Sequence, residues 1–339
     1  MRAYRMVDWA AQPRSVEVPA PSPGPGEILV RVAGCGLCRS DLSMPQLPQA
    51  IGARMGWRMP FTLGHETAGW VAGFGAGVTG ASAGFAEGDA VALVSPTSCG
   101  TCQHCLRGQD NCCPAGATGR GYGRDGGLAD YVLVDSARAL LPLGDLDPRT
   151  AGPLTDAGAT AYHAVQRALP RIVPGGTVAV VGAGGLGAFA VQFLRALTAA
   201  RVVAVDTNPD RLAYATDVGA HETRSAMDGL RSLDAVLDFV GTDATIAAGV
   251  AAVRAGGAFG LVGSAGGRLE KGWFGALPRD GEVYTFQGST IADARDVVAL
   301  ATAGQVRVEV EQYPFDEVAA AYAAVAAGTL KSRAVVLLS

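Results

Sequence analysis

The sequence predicts an α/β protein in which a doubly wound parallel sheet is combined with a second, all-β, barrel-like domain. Three observations predict this fold class. Apolar strands alternate with helical segments over residues 151–289, which is typical of a parallel sheet. Short alternating strands with frequent glycine and proline turns fill residues 1–150, as in an all-β domain. Hydrophobic residues make up 49% of the chain and charged residues 17%, so 339 residues can form two domains with large cores.

Charge and hydropathy exclude several classes of partner. The formal net charge is −4 and no run of Lys and Arg occurs, which argues against nucleic acid. The first residues lack the apolar segment of a secretory signal. The most apolar stretch, residues 177–206, is interrupted by glycines and by Arg195 and Arg201, so it does not predict a membrane span. We therefore expect a cytoplasmic protein without a membrane partner.

Five of the seven cysteines lie within one short hydrophilic segment, SCGTCQHCLRGQDNCCPAG. Four of them fit the pattern C-x2-C-x2-C-x7-C, namely Cys99, Cys102, Cys105 and Cys113. Four thiolates can close a tetrahedron around zinc with no open position, which predicts a structural zinc site. In a reducing compartment this reading is favoured over a disulfide knot. The fourth ligand stays open because Cys112 is adjacent. His104 could bind a metal by its chemistry, but between two ligand cysteines it is expected to face solvent.

Three separated segments each offer one more metal ligand. GCGLCRSDL contains Cys38, LGHETAG contains His65, and PLTDAGATAYHAV contains Asp156. Taken singly, each has an ordinary structural explanation as a buried cysteine, a core or surface histidine, or a helix cap. Together they form an acceptable zinc set whose fourth position is left for water or substrate. Two neighbours support this interpretation: Ser40 can exchange a proton with a metal-bound oxygen, and Asp41 can accept the second ring N–H of His65.

The segment GGTVAVVGAGGLGAFAVQFLRALTAARVVAVDTNPDRL is typical of strand, turn, helix and strand. Its glycines fit G-x-G-x-x-G, which allows a tight turn and close approach of the backbone to a pyrophosphate at the helix N-terminus. Asp206 ends the second strand, where a carboxylate can bind the adenosine ribose hydroxyls. A carboxylate there repels a 2′-phosphate, which predicts NAD in preference to NADP, although Arg211 is near enough to weaken the preference.

The alternation of strands and helices continues beyond this motif. LDAVLDFVG and GGAFGLVGS are apolar strands, ATIAAGVAAVRAG is a helix that stops near Gly256 and Gly257, and EVYTFQGS is the last strand. Residues that end these strands are expected to contact the cofactor. The predicted cofactor neighbours in this domain are Gly182, Gly184, Gly185, Leu186, Gly187, Asp206, Arg211, Val240, Val262 and Gly263.

In this order, the motifs resemble those of the zinc-dependent medium-chain alcohol dehydrogenases over nearly the whole chain. The resemblance is carried by GLCRSD, GHETAG, the CGTCQHC…C loop, PLTDAGATAYHAV and the glycine motif. It implies a GroES-like catalytic domain formed by residues 1–150 and 290–339, and a Rossmann dinucleotide-binding domain formed by residues 151–289. Aspartate at position 156, rather than cysteine, resembles the bacterial secondary-alcohol branch.

The resemblance also implies roles for individual residues. The implied ligands of a catalytic zinc are Cys38, His65 and Asp156. Glu66 would approach that metal transiently, Ser40 would touch the substrate oxygen, and Arg39 would meet the cofactor pyrophosphate. Some family members pass the proton to a histidine five residues after the first ligand. That position is Ser43 here, so the proton would have to leave Ser40 through cofactor ribose hydroxyls or water.

The implied activity is reversible oxidation of an alcohol by NAD to a ketone or aldehyde, with two zinc ions per subunit, and a secondary alcohol, which gives a ketone, is the expected substrate. The family also suggests a homodimer or homotetramer. Two alternatives stay open: a related reductase acting on a conjugated C=C bond or an imine, and a non-enzymatic NAD-binding protein with a residual site.

Overall fold

A computed structural model describes residues 1–95, 97–270, 272, 274–276 and 278–338. It divides into two compact units, Met1–Ala159 with Gly288–Ser339, and Thr160–Gln287. The domain boundaries expected from the sequence stay predictions. Within the described ranges, no helix is both long enough and apolar enough to cross a bilayer.

Strands and helices follow one another along the whole chain. The strands are β1 (Arg2–Met6), β2 (Arg14–Glu17), β3 (Ile28–Gly36), β4 (Phe61–Thr62), β5 (Glu66–Phe74), β6 (Ala90–Leu93), β7 (Gly119–Arg120), β8 (Gly123–Arg124), β9 (Tyr131–Val134), β10 (Leu140–Pro142), β11 (Thr177–Val181), β12 (Arg201–Val205), β13 (Glu222–Arg224), β14 (Leu233–Asp238), β15 (Val253–Leu261), β16 (Glu282–Thr285), β17 (Val310–Pro314) and β18 (Arg333–Leu337). The α-helices are α1 (Gln49–Arg54), α2 (Gly80–Ala83), α3 (Pro148–Ala151), α4 (Ala157–Ala168), α5 (Gly187–Leu197), α6 (Pro209–Asp217), α7 (Asp243–Ala252), α8 (Ile291–Thr302) and α9 (Val318–Ala327).

The first unit is organised around β3. Its early residues alternate between buried Val30 and Val32 and exposed Arg31, as expected for a strand with one face on the core. The larger sheet has the order β10-β6-β5-β3-β18-β17, and β9 pairs with the first half of β3. Strand β18 pairs antiparallel with the second half of β3, with Val336 opposite Cys35. The C-terminal tail therefore completes the sheet that the N-terminal part begins.

The second unit is a six-stranded sheet in the order β13-β12-β11-β14-β15-β16, with every neighbouring pair parallel. Strand β14 is buried at each position, as expected for a strand covered on both faces. Val181 lies opposite both Val205 and Asp238, so the central strands end at one level. This architecture confirms the predicted fold class.

One predicted boundary was wrong. The helix expected over ATIAAGVAAVRAG ends at Ala252, and β15 begins at Val253. Val253 is β-branched and pairs with Leu233, and the register shifts immediately after this pair. Gly256, with φ +72°, therefore lies at an irregularity inside the strand and does not end the helix.

Candidate functional site

The structure brings Cys38, His65, Glu66 and Asp156 together, and one ligand atom from each lies within 4.8 Å of the others. We call these residues the mixed-ligand cluster. The antiparallel pairing of β3 with β5 places Gly36 opposite Glu66, so the end of β3 lies beside the start of β5. Cys38 and His65 flank this junction, and Asp156 directly precedes α4. Three separate segments thus meet at one point.

Within the mixed-ligand cluster, Glu66 is held by an arginine from β18. Arg333 Nε donates to Glu66 Oε2 at 3.0 Å, and Arg333 Nη2 donates to Glu66 Oε1. Both side chains are buried, and a Cβ at Gly36 would collide with the Glu66 carboxylate. Burial lowers the pKa of Arg333, but Glu66, Cys38 and Asp156 together outweigh burial and raise it well above its ordinary value. Arg333 therefore holds Glu66 closely, whereas Asp156 Oδ2 lies 3.9 Å from Arg333 Nη2, so Cys38, His65 and Asp156 are the more open ligand set.

The His65 ring is surrounded by acidic groups and a hydroxyl. Its Nε2 lies 3.4 Å from Asp156 Oδ2 and 3.2 Å from the Tyr122 hydroxyl. Its Nδ1 lies 3.1 Å from Asp41 Oδ1, although the two atoms are not aligned as a hydrogen bond. Burial lowers the pKa of His65, but Tyr122 and the two carboxylates outweigh burial and raise it well above its ordinary value. The surroundings therefore stabilise positive charge, and a divalent cation fits this donor set.

Tyr122 is a site residue that the sequence analysis missed. It lies between β7 and β8, and both flanking glycines have left-handed backbones, with φ +76° at Gly121 and +79° at Gly123. The resulting turn places the tyrosine hydroxyl 2.8 Å from Ser40 Oγ. Its ring lies against the His65 ring, with centroids 4.6 Å apart. An aromatic residue between glycines in RGYGRDGG was the only local signal, and no spacing rule connects it to Ser40.

Ser43, at the position where some family members carry histidine, does not extend the hydroxyl path. Its Oγ donates to the Ser40 carbonyl at 2.7 Å. The hydroxyl adjacent to Ser40 is that of Tyr122. Arg39, the other residue suggested from this segment, is exposed at the start of a short 3-10 helix, Arg39–Gln46.

The second metal-binding group is the four-cysteine cluster, Cys99, Cys102, Cys105 and Cys113. The Cys102 sulfur lies 3.6 Å from that of Cys105 and 3.9 Å from that of Cys113. Zn–S bonds of about 2.3 Å give a tetrahedron with S···S edges of about 3.8 Å, so the spacing suits zinc. The backbone and hydroxyl of Thr101 lower the pKa of Cys99 to about 6, which favours the thiolate that metals bind. His104 does not belong to the cluster, and its Nδ1 lies 3.4 Å from Gln109 Oε1.

The sequence leaves open whether Cys112 or Cys113 is the fourth ligand of this loop. The structure favours Cys113. Cys112 is exposed with its Sγ toward Asn111, whereas Cys113 accepts from the backbone N–H of Cys99 at 3.3 Å. We expect Cys113→Ser to lose one zinc per chain and to unfold the loop, because such sites contribute on the order of 10 kcal/mol in peptides. Cys112→Ser should keep full zinc content by elemental analysis. Equal zinc loss in both variants would show that this assignment is wrong.

The glycine turn before α5 has two glycines that the fold itself requires. Gly182 has φ +86°, and a Cβ at Gly187 would collide with the carbonyl of Gly182. The three atoms nearest to a Cβ at Gly184 would belong to the Arg211 side chain, at 3.6 Å or more. The fold therefore does not require glycine at position 184, and the bare Cα leaves the backbone open to a ligand. Gly185 and Leu186 complete the turn before the first helical residue.

Asp206 lies directly after β12, beside this turn. Its Oδ2 accepts from Ala183 N at 2.8 Å, and its Oδ1 accepts from Asn208 N at 2.9 Å. Arg211 Nη1 lies 3.9 Å from Asp206 Oδ2. Asp206 therefore shapes the glycine turn as well as offering a carboxylate at its edge.

Val240, Val262 and Gly263 follow the neighbouring strands β14 and β15. A Cβ at Gly263 would collide with the backbone of Val240, so the two loops touch. Asp238 holds the first loop by accepting from Val240 N at 2.8 Å. These predicted neighbours of a cofactor therefore lie at the carboxyl ends of adjacent strands.

Comparison with known proteins identifies the family. Residues 24–145 match the alcohol dehydrogenase GroES-like domain, and residues 185–303 match the zinc-binding dehydrogenase domain. An NAD-dependent alcohol dehydrogenase of Sulfurisphaera tokodaii is 31% identical over 326 residues, covering 91% of each chain. The chain belongs to the zinc-dependent medium-chain alcohol dehydrogenase family. This confirms the resemblance read from the motifs.

Two further members show the range of this family. A D-arabinose 1-dehydrogenase (NADP(+)) of Saccharolobus solfataricus is 31% identical over 340 residues, covering 96% of this chain and 95% of that protein. The structure of an acetophenone reductase from Geotrichum candidum in complex with NAD is similar, with a TM-score of 0.88 and 28% identity. The match covers 99% of this chain and 96% of that chain. Membership of the bacterial secondary-alcohol branch stays a prediction.

Proposed function

We propose that this alcohol dehydrogenase family member transfers hydride reversibly between a small secondary alcohol and NAD, giving a ketone. The observation that carries the proposal is the convergence of Cys38, His65 and Asp156 beside the Ser40 hydroxyl. A thiolate, an imidazole and a carboxylate make an open zinc site of the catalytic kind. We also propose a second, structural zinc at the four-cysteine cluster, a homo-oligomeric state and a cytoplasmic location.

A zinc ion in the mixed-ligand cluster, when bound, supplies Lewis acidity that lowers the pKa of a hydroxyl or polarises a carbonyl. The protein groups set its surroundings. Arg333 keeps the Glu66 carboxylate paired, so the three remaining ligands leave a position for substrate. Asp41 lies at Nδ1 of His65, which leaves Nε2 as the ligand atom.

Proton transfer is assigned to Ser40. In the oxidation direction Ser40 Oγ accepts the proton of the substrate hydroxyl as its own hydroxyl proton passes on to water, and in reduction both transfers run in reverse. The Tyr122 hydroxyl lies 2.8 Å from Ser40 Oγ, and either hydroxyl can donate in this hydrogen bond. Tyr122 therefore orients the Ser40 hydroxyl, and the proton that Ser40 releases is expected to reach water without the histidine found in some relatives.

The preference for NAD over NADP is proposed from Asp206. Its carboxylate lies beside the glycine turn, where it can accept from ribose hydroxyls and would repel a 2′-phosphate. Arg211, 3.9 Å from Asp206 Oδ2, offsets part of that repulsion. We therefore expect a preference that is measurable but not absolute.

A spectrophotometric screen tests the proposed function. Secondary alcohols, primary alcohols and ketones are supplied with NAD(H) or NADP(H), and the reduced cofactor is followed. Secondary alcohols should have the highest kcat/KM, with NAD preferred, and activity should disappear when zinc is removed and return when it is restored.

Two outcomes would contradict the proposal. Reduction of the C=C bond of an enone without any alcohol oxidation would place the protein among the related reductases. A higher kcat/KM with NADP than with NAD would show that the role given to Asp206 is wrong.

A further inference from the structure

Helix α9, near the C-terminus, places a tyrosine beside Asp41, a neighbour of the mixed-ligand cluster. The Tyr322 hydroxyl donates to Asp41 Oδ2 at 3.0 Å across a sequence separation of 281 residues. Tyr322 is 8% exposed and Asp41 is 2% exposed, so this bond is shielded from water. The bond suggests that Tyr322 supports the metal ligands through Asp41.

The Asp41 carboxylate joins two of the proposed metal ligands. Its Oδ2 also accepts from the backbone N–H of Cys38 at 3.1 Å, and its Oδ1 lies 3.1 Å from His65 Nδ1. Among the described residues, neither Asp41 Oδ1 nor His65 Nδ1 has a hydrogen-bond partner, and the two atoms lie close enough to become each other's partner after a small rotation. A buried polar atom without a partner is costly, so each of these two atoms depends on the other. The rotation of the Asp41 carboxylate therefore decides how the His65 ring is held.

We propose that Tyr322 is a positioning residue for the catalytic metal. Its hydroxyl fixes the Asp41 carboxylate, and Asp41 in turn orients the His65 ring so that Nε2 faces the metal. Helix α9 thereby sets the metal affinity of a site whose ligands all come from earlier segments. This inference rests on the proposed function, because it assumes that the mixed-ligand cluster binds zinc.

The stack between Tyr322 and Tyr4 allows a matched test. Their rings are 5.8 Å apart between centroids, with planes 24° apart. Tyr322→Phe keeps this stack and removes only the hydroxyl that bonds Asp41. Tyr4→Phe removes a hydroxyl from the facing ring and leaves the three contacts of Asp41 in place. The two variants therefore separate the hydrogen bond from the packing.

Zinc affinity is the measurement, with the two metal sites of one chain read separately by chelator competition. Supporting partners of metal ligands typically change metal affinity by about 10- to 100-fold. Tyr322→Phe should weaken zinc binding at the mixed-ligand cluster by about tenfold or more and leave the four-cysteine cluster unchanged. Excess zinc should restore most of kcat. Tyr4→Phe should bind both ions as the wild type does.

The double variant Asp41→Asn, Tyr322→Phe shows whether the tyrosine acts through the aspartate. If it does, adding Tyr322→Phe to Asp41→Asn causes little further loss of zinc affinity. Two outcomes would overturn this inference and leave the proposed function intact. One is that the losses of zinc affinity in the two single variants add up in the double variant. The other is that the wild type binds two zinc ions and Tyr322→Phe binds them with unchanged affinity. A wild type that binds zinc only at the four-cysteine cluster would overturn the proposed function and this inference with it.

Discussion

Replacing Cys38 by serine should remove one of two zinc ions per chain and lower kcat/KM by roughly a thousandfold or more. The reason is the small number of zinc ligands that remain in the mixed-ligand cluster. Arg333 engages Glu66, so only His65 and Asp156 would be left as open ligands, too few for a stable zinc site. Zinc content by elemental analysis and steady-state kinetics with a secondary alcohol measure both effects.

Two controls accompany Cys38→Ser. Cys112→Ser replaces an exposed cysteine that belongs to neither metal-binding cluster, and it should keep both zinc ions and full activity. NADH binding by Cys38→Ser should match that of the wild type, because the glycine turn and Asp206 belong to the unit Thr160–Gln287. Full zinc content and activity in Cys38→Ser would refute the assigned metal site.

Replacing Arg333 by methionine should lower the free energy of unfolding by about 3–5 kcal/mol, because it leaves the Glu66 carboxylate buried without its partner. Glu66 is fully buried and accepts two hydrogen bonds from this guanidinium. Urea denaturation with saturating zinc measures the loss, which should appear as a lower midpoint at an unchanged slope.

The chain offers a matched control and a rescue for Arg333→Met. Arg149 pairs with Asp147 at 3.7 Å, with about half of each side chain exposed, so Arg149→Met should cost less than about 1 kcal/mol. Adding Glu66→Gln to Arg333→Met should recover part of the loss, since it removes the uncompensated charge. A midpoint shift no larger than that of Arg149→Met would show that the buried ion pair does not stabilise the fold.

Local patterns in the sequence were sufficient for the parts of the site that lie close together along the chain. The four-cysteine cluster spans residues 99–113, so the spacing alone indicates that the sulfurs can meet. The glycine turn and Asp206 belong to one strand–helix–strand unit whose geometry is set by short connections. The mixed-ligand cluster was predicted from three separated segments only because their chemistry and order resemble those of a known family.

Only the tertiary structure decided which distant side chains support those ligands. Tyr122 meets Ser40 because a glycine turn aims it there, and Arg333 meets Glu66 because β18 pairs with β3 beside β5. Tyr322 reaches Asp41 from α9. No periodicity or spacing in the chain encodes these contacts. They depend on strand register and helix packing between segments far apart in sequence, whereas the ligands and turns depend on local chemistry that the sequence displays directly.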